Sequence, residues 1–155
     1  MNKKDLTQKE IEYKIQNYCS YQERCHLEVY TKLKNFTSDN EEINQVISKL
    51  IDDGYLNETR FSKEFTIGKF NHKNWGRIRI NRELKKRKIS QKNIQIGLDQ
   101  LNNLSYEKKL GDLFEFQLNK YKQKNDIYTK KKIFDYLNYR GWEKDLIFKK
   151  INSIK

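Results

Sequence analysis

An apolar pattern that occurs three times is the feature that most constrains the fold of this chain. Aliphatic residues occupy five positions of the pattern and every equivalent position after shifts of 51 and a further 53 residues. The three sets are Val29, Leu33, Ile43, Ile47 and Leu50; Ile80, Leu84, Ile94, Leu98 and Leu101; and Ile133, Leu137, Ile147, Ile151 and Ile154. Only 35% of the 155 residues are hydrophobic, so the agreement indicates an internal repeat.

The spacing within each set predicts two helices, because apolar residues four or three positions apart share one helical face. A further helix precedes each pair, and its apolar residues are Ile11, Ile15, Tyr18 and Cys19; Phe61, Phe65 and Gly68; or Leu110, Phe114, Leu118 and Tyr121. The absence of proline allows helices throughout. The sequence therefore predicts an all-α protein of about nine helices in three tandem three-helix repeat units, residues 7–53, 57–101 and 105–154, in an elongated or curved array.

The stretch DDGYLNETRF, residues 52–61, joins the first two units. If a helix ends at Asp53, Gly54 takes the position after the C-cap, where a left-handed backbone favours glycine. Tyr55 then packs against Leu50, as in a Schellman motif. We interpret the stretch as a joint rather than a binding loop.

The rest of this joint carries the signals of a new helix. Asn57 is a suitable N-cap, and Leu56 and Phe61 have the spacing of a hydrophobic staple. The same helix ending recurs at residues 140–142, where the sequence is RGW. The predicted joint residues are Gly54, Tyr55, Leu56, Asn57, Phe61, Gly141 and Trp142.

Positive charge is concentrated in the last two thirds of the chain. The net charge is +12, with −2 in residues 1–56, +8 in residues 57–104 and +6 in residues 105–155. The second and third units are therefore expected to attract a polyanion or an acidic protein surface.

The second helix of the second unit is the most basic segment, with seven basic residues and one acid in residues 77–88. When Ile80 and Leu84 face inward, Arg79, Arg82 and Lys86 form an outward stripe. Such a face is often only solvated, but its unrelieved repulsion favours an anionic partner. The equivalent helix of the third unit is also basic. The candidate binding residues of the two helices are Arg77, Arg79, Arg82, Lys85, Lys86, Arg87, Lys130, Lys131, Lys132 and Arg140. Tyrosines among them either stack on bases or a partner, or pack between units.

Two cysteines and a histidine occur together in CSYQERCH, residues 19–26. A zinc site needs more ligands than this, and both cysteines fall on apolar helix faces, so buried thiols are expected instead. The chain has no glycine-rich phosphate loop, dinucleotide fingerprint or nucleophile elbow. We therefore predict no enzyme, no metal and no cofactor.

A membrane location is not expected, because no stretch approaches the ~20 apolar residues of a spanning helix. The N-terminal MNKKDLTQKEIEY lacks the apolar segment of a signal peptide. These features favour a cytoplasmic protein.

Four segments of the chain carry a further signal: CSYQERCHLEVYTKLK at 19–34, GYLNETRF at 54–61, WGRIRINRELKKRKI at 75–89 and LNYRGWEKDLI at 137–147. Together they resemble the RecX family, the regulators of the RecA recombinase. The resemblance extends over roughly residues 8–154 in the right order. It departs from the family at Lys88, where a glycine often stands.

The resemblance implies a minimal family member built of tandem three-helix units. It implies a monomer that binds the RecA filament on single-stranded DNA and limits filament growth, ATP hydrolysis and recombination, and that contacts the strand through RecA or directly. A rival reading is a nucleic-acid-binding protein without a RecA target. Sequence-specific binding by a helix-turn-helix is disfavoured, because the third helix of the second unit, SQKNIQIGLDQL, holds only one lysine and one aspartate.

Overall fold

Nine α-helices and no strand make up the part of the chain that this computed structural model describes, residues 5–155. Residues 1–4, which begin the N-terminal segment considered above, lie outside it. The helices are α1 (Gln8–Tyr21), α2 (His26–Lys34), α3 (Asn40–Asp52), α4 (Glu58–Lys73), α5 (Arg77–Lys86), α6 (Gln91–Leu98), α7 (Asn103–Lys120), α8 (Ile127–Tyr139) and α9 (Lys144–Ile151). We call α1–α3 the first unit, α4–α6 the second and α7–α9 the third. The predicted all-α, three-helix repeat architecture is confirmed.

The repeated apolar positions form the core. Ile47, Leu98 and Ile154 are half-buried, and the other members of the pattern are buried. The first unit has a core of its own. The second and third units share one core, in which the fully buried Trp142 packs. Hydrophobic burial therefore joins the second and third units into one body.

Polar caps set where most of the helices begin. Side-chain oxygens of six residues accept hydrogen bonds from the first turns that follow them: Thr7, Asp39, Asn57, Ser90, Asn102 and Asp126. Such caps stabilise a helix by ~1 kcal/mol each. The cap at Asn102 starts α7 at Asn103, two residues before the predicted start of the third unit, and α6 ends at Leu98, before the apolar residue Leu101.

The joint after α3 has the predicted Schellman geometry. The Tyr55 N–H donates to the Leu50 carbonyl at 2.9 Å, and the Gly54 N–H donates to the Ile51 carbonyl at 3.1 Å. Gly54 has φ +79°, a left-handed conformation that glycine adopts without a Cβ penalty. The Arg60 guanidinium closes the turn by donating to the Gly54 carbonyl at 3.0 Å.

The start of α4 agrees with the prediction only in part. Asn57 is the N-cap and accepts from the Arg60 N–H at 3.0 Å. Leu56 and Phe61 are both buried, but Leu56 packs in the core of the first unit and Phe61 in the shared core. The predicted staple between them is therefore wrong, and each side chain anchors a different body.

The buried face of α4 also differs from the predicted stripe of Phe61, Phe65 and Gly68. Its buried residues are Phe61, Ser62, Thr66 and Phe70. The reason is the close approach of α6, since a Cβ on Gly97 would lie 2.7 Å from the Ser62 carbonyl oxygen. Small polar side chains fill this crossing, and Phe65 moves to the edge of the core.

α5 ends in the same motif as α3, but with a lysine in the glycine position. Lys88 has φ +57°, and the Ile89 N–H donates to the Leu84 carbonyl at 3.2 Å. A left-handed backbone costs a non-glycine residue ~1–2 kcal/mol, and the attraction of a cation to the helix C terminus offsets ~0.3–1 kcal/mol of that.

Lys88→Gly is therefore expected to raise the free energy of unfolding by about 0.5–1 kcal/mol. Thermal denaturation should show an increase in Tm of roughly 1–4 °C. The control is Lys85→Gly in the last turn of the same helix, which should lower stability by ~1 kcal/mol. A fall in Tm for both variants would contradict the assigned strain at Lys88.

Candidate partner interface

The basic helix α5 lies between the other two units. Its first turn contacts the third unit through Arg77. One guanidinium nitrogen donates to the Asn103 side chain at 2.9 Å, and another lies 3.6 Å from a carboxylate oxygen of Glu143. The guanidinium carbon is 3.7 Å from the ring centroid of Tyr106. Arg77 therefore contacts the third unit, and it is half-buried.

Arg79 is also part of this joint. Its guanidinium donates to the Tyr139 carbonyl at 3.2 Å and lies over the rings of Trp75 and Tyr139, at 4.3 and 4.7 Å from their centroids. Its backbone faces Gly141, whose carbonyl accepts from the Ile78 N–H at 3.0 Å. The predicted outward orientation of Arg79 is therefore wrong.

The last turn of α5 contacts the first unit through Arg87. The Arg87 guanidinium lies 3.5 Å from a Glu28 carboxylate oxygen and 3.2 Å from one of Glu83. Lys86 pairs with the same Glu83 at 3.3 Å. Burial acts to raise the pKa of Glu83, but hydrogen bonds from Arg87 and Lys86 outweigh it and leave that pKa below its ordinary value. The predicted unrelieved repulsion along α5 is therefore wrong for Arg77, Lys86 and Arg87.

Fewer basic residues of α5 are available to a partner than the sequence suggested. Arg82, Lys85 and Lys86 are exposed. Within residues 5–155 neither Arg82 nor Lys85 has a carboxylate at ion-pair distance. We call these three residues the α5 surface.

The predicted basic residues in and after α8 also differ in how available they are to a partner. Lys131 pairs with Asp135 at 2.9 Å. Arg140 is half-buried and lies 3.7 Å from the ring centroid of Tyr136. Lys130 is half-buried and Lys132 is exposed. α8 therefore offers fewer cations to a partner than its sequence indicates.

The joint between the second and third units is made by backbone and aromatic groups. The Gly76 N–H donates to the Arg140 carbonyl at 2.8 Å, and the Trp142 indole N–H donates to the Asn74 carbonyl at 3.0 Å. A Cβ on Gly76 would lie 2.8 Å from the Gly141 carbonyl carbon. The predicted joint residues Gly141 and Trp142 lie at its centre. Nothing in the sequence indicates that Gly76 faces them, because the two segments are far apart along the chain.

Tyr106 provides the polar centre of the same joint. Its hydroxyl donates to a Glu143 carboxylate oxygen at 2.6 Å and accepts from the Arg77 N–H at 3.0 Å. Burial, together with the hydrogen bond to Glu143, raises the pKa of Tyr106 above its ordinary value. The hydroxyl thus stays protonated and keeps both bonds at neutral pH.

Tyr106→Phe is expected to lower the free energy of unfolding by about 1–3 kcal/mol, because it leaves a buried N–H and a carboxylate oxygen without a partner. Calorimetry should show a fall in Tm of roughly 2–12 °C. Tyr13→Phe is the matched control, since Tyr13 is 68% exposed. Equal Tm values for the two variants would contradict a structural role of the Tyr106 hydroxyl.

Ion pairs contribute to the joint between the first and second units. Glu23 pairs with Arg60, His26 Nδ1 lies 3.5 Å from a Glu58 carboxylate oxygen, and Arg87 reaches Glu28. Cys25 and Leu27 are the apolar residues of the first unit that reach the shared core. A cleft of about 480 Å³ separates the two units and is lined by Gln22, Glu23, Glu28, Phe61, Glu64, Phe65, Gly68, Lys69, His72, Lys73 and Arg87.

Both cysteines are buried free thiols, as predicted. Burial raises the pKa of Cys19 and of Cys25 to about 11, so both remain protonated and unreactive at neutral pH. Among residues 5–155 no group of three or more histidine, cysteine, aspartate or glutamate side chains could hold a metal ion. None of the helices in this part of the chain is long and apolar enough to cross a membrane.

The chain is similar to known proteins in both sequence and fold. Residues 57–98, the second unit, match the family model of RecX, second three-helix domain. The regulatory protein RecX of Finegoldia magna is 31% identical over 132 residues, which cover 84% of this chain. By these matches the chain is similar to RecX proteins over most of its length, and its second unit is similar to a RecX domain. The chain spans 64% of the length of this curated relative.

Two crystal structures share the fold. RecX from Lactobacillus salivarius superposes with a TM-score of 0.81 at 24% identity, over 95% of this chain and 96% of that one. A second crystal structure, of a regulatory protein RecX, superposes with a TM-score of 0.80 at 18% identity, over 94% of this chain and 72% of that one. The chain therefore shares its arrangement of helices with these two proteins.

Proposed function

We propose that this protein regulates the RecA recombinase by binding the RecA filament on single-stranded DNA and limiting its growth, ATP hydrolysis and recombination activity. The observation that carries the proposal is the match to a regulatory RecX protein over most of the chain. The match includes the basic second unit, which corresponds to a named RecX domain. In this proposal the protein acts as a cytoplasmic monomer and catalyses no reaction.

The linear order of the units supports binding to a repeating partner. Ion pairs and hydrogen bonds between units join the first to the second, as at Glu28–Arg87, and the second to the third, as at Arg77–Glu143. No such pair among residues 5–155 joins the first unit to the third. Three units in a row can contact neighbouring protomers of a filament at once, and linked contacts raise the overall affinity.

The α5 surface supplies the contact with an anionic partner in this proposal. Arg82, Lys85 and Lys86 are exposed on a helix that is fixed at both ends by Arg77 and Arg87. A helix held at both ends presents its cations in a defined position, so less conformational entropy is lost on binding. Arginine is suited to phosphate or carboxylate through its planar fork.

RecA-driven ATP hydrolysis on single-stranded DNA tests the proposal. Addition of this protein at substoichiometric amounts should slow hydrolysis and shorten the filaments seen by electron microscopy. Unchanged hydrolysis and unchanged filament length would overturn the proposal. Tight binding to a bare strand in that case would favour a nucleic-acid-binding protein without a RecA target.

A further inference from the structure

A second cationic surface lies at the corner between α7 and α8. Its residues are far along the chain from those of the α5 surface. Residues 118–132 contain six lysines and one aspartate. We call the relevant part of this segment the lysine–tyrosine corner; its residues are Lys120, Tyr121, Lys122, Lys124, Tyr128 and Lys132.

Asp126 offsets part of the positive charge of this corner through its attraction to Lys124, and the lysines remain in excess. This aspartate is the N-cap of α8 and accepts from the Thr129 N–H at 2.7 Å. Of the six lysines, only Lys131 has a carboxylate at ion-pair distance among residues 5–155, and that carboxylate belongs to Asp135. The corner therefore carries a local excess of positive charge that an anionic partner would neutralise.

Two tyrosine rings lie among these lysines. Tyr128 is 63% exposed, and Tyr121 packs edge-on against it with ring centroids 6.1 Å apart. The Lys132 ammonium lies 5.4 Å from the centroid of Tyr128, and the Lys120 ammonium lies 5.8 Å from that of Tyr121. The result is an exposed aromatic surface with a cation on either side.

The end of α7 has the same left-handed turn as the end of α5. Lys122 and Gln123 both have left-handed backbones, with φ +57° and +55°. The Gln123 N–H donates to the Leu118 carbonyl at 2.8 Å, so α7 ends in a Schellman motif with Lys122 in the glycine position. Glycine would hold this turn at lower cost, and the lysine in its place adds a cation to the corner.

We propose that the lysine–tyrosine corner binds single-stranded nucleic acid, with a base stacked on Tyr128 and phosphates contacted by Lys120, Lys122, Lys124 and Lys132. Aromatic rings between cations are the usual means by which proteins bind single strands without reading their sequence. Duplex DNA keeps its bases stacked inside the helix, so it offers phosphates to the corner but no base to the ring. The proposal does not depend on RecA, because it concerns a bare strand.

Fluorescence anisotropy with a labelled oligothymidylate at several salt concentrations tests the ring. Tyr128→Ala should weaken binding between about fivefold and a hundredfold, as expected for the loss of one stacked base, with no change in salt dependence. Tyr13→Ala is the matched control, because Tyr13 is as exposed but lies on α1 in the first unit. Equal affinities for the Tyr128 and Tyr13 variants would overturn the proposal.

The lysines are tested by the triple variant Lys120→Gln, Lys122→Gln and Lys124→Gln. The slope of log affinity against log salt should flatten by about 2, since each lost phosphate contact on a single strand contributes ~0.7. The control triple variant is Lys9→Gln, Lys14→Gln and Lys63→Gln, which has the same net charge and changes exposed lysines elsewhere.

Two results of the lysine test would count against the corner. An equal flattening of the slope in both triple variants would show that overall charge, rather than the corner, attracts the strand. A loss of affinity for duplex DNA as large as that for the strand in Tyr128→Ala would overturn the assignment to single strands. A RecA assay without effect would leave all these outcomes unchanged, so the two proposals fail separately.

Discussion

Replacement of Gly141 by alanine is expected to lower the free energy of unfolding by about 2–5 kcal/mol and to loosen the third unit from the second. The left-handed backbone, φ +85°, costs an alanine ~1–2 kcal/mol. The new Cβ would also lie 2.7 Å from the Arg79 Cα and closer still to the Arg79 N and Cβ atoms. Such overpacking typically costs a further ~1–3 kcal/mol.

Gly54→Ala is the matched control for this experiment. Gly54 has nearly the same conformation, φ +79°, but apart from its chain neighbours no atom of residues 5–155 lies within 4 Å of the added Cβ. Only the backbone cost of ~1–2 kcal/mol therefore remains. Chemical denaturation of both variants measures the difference. Equal losses of stability would mean that the close approach of Gly141 to Arg79 contributes nothing.

Charge reversal of the α5 surface is expected to abolish regulation of RecA while leaving the protein folded. The variant is Arg82→Glu, Lys85→Glu and Lys86→Glu. Exposed substitutions usually change stability by less than ~0.5 kcal/mol each. Among residues 5–155 the one ion pair lost is that between Lys86 and Glu83. Affinity for the RecA filament should fall at least about tenfold, because three charges are reversed on one helix and its net charge falls by six units.

The control is Lys9→Glu, Lys14→Glu and Lys63→Glu, which reverses the same charge at exposed lysines of α1 and α4. Binding to RecA filaments and inhibition of ATP hydrolysis are measured for both variants. Arg79 stays unchanged in this design, since its substitution would open the joint to the third unit. A folded α5 variant that inhibits RecA as well as the control would identify the α5 surface as merely solvated.

Local features were predictable because they depend on neighbours along the chain. The glycine at position 54, the cap at Asn57 and the ending at Gly141 and Trp142 are set by the backbone conformations that these residue types favour. The apolar repeat likewise predicted the cores. Apolar residues three or four positions apart lie on one face of a helix, and that face is the buried one.

The partners of the basic residues were not predictable in this way. Arg77, Arg79 and Arg87 look alike in the sequence, and their roles depend on groups brought close only by folding. Glu143, Tyr139 and Glu28 neutralise or cover them. The buried Ser62 and Thr66 were missed for the same reason, because their burial follows from the close crossing of α4 and α6. A charge run therefore indicated where basic residues lie but not which of them are free.

The ion pairs at the joint between the first and second units affect how solution measurements should be interpreted. Salt weakens ion pairs such as Glu28–Arg87, which keep part of their surface in water, but it leaves the shared apolar core of the second and third units intact. Raising the ionic strength should therefore change the angle of the first unit as well as the affinity for nucleic acid. A salt titration of filament binding would then contain a conformational contribution in addition to counterion release, and small-angle scattering of the free protein over the same salt range would separate the two.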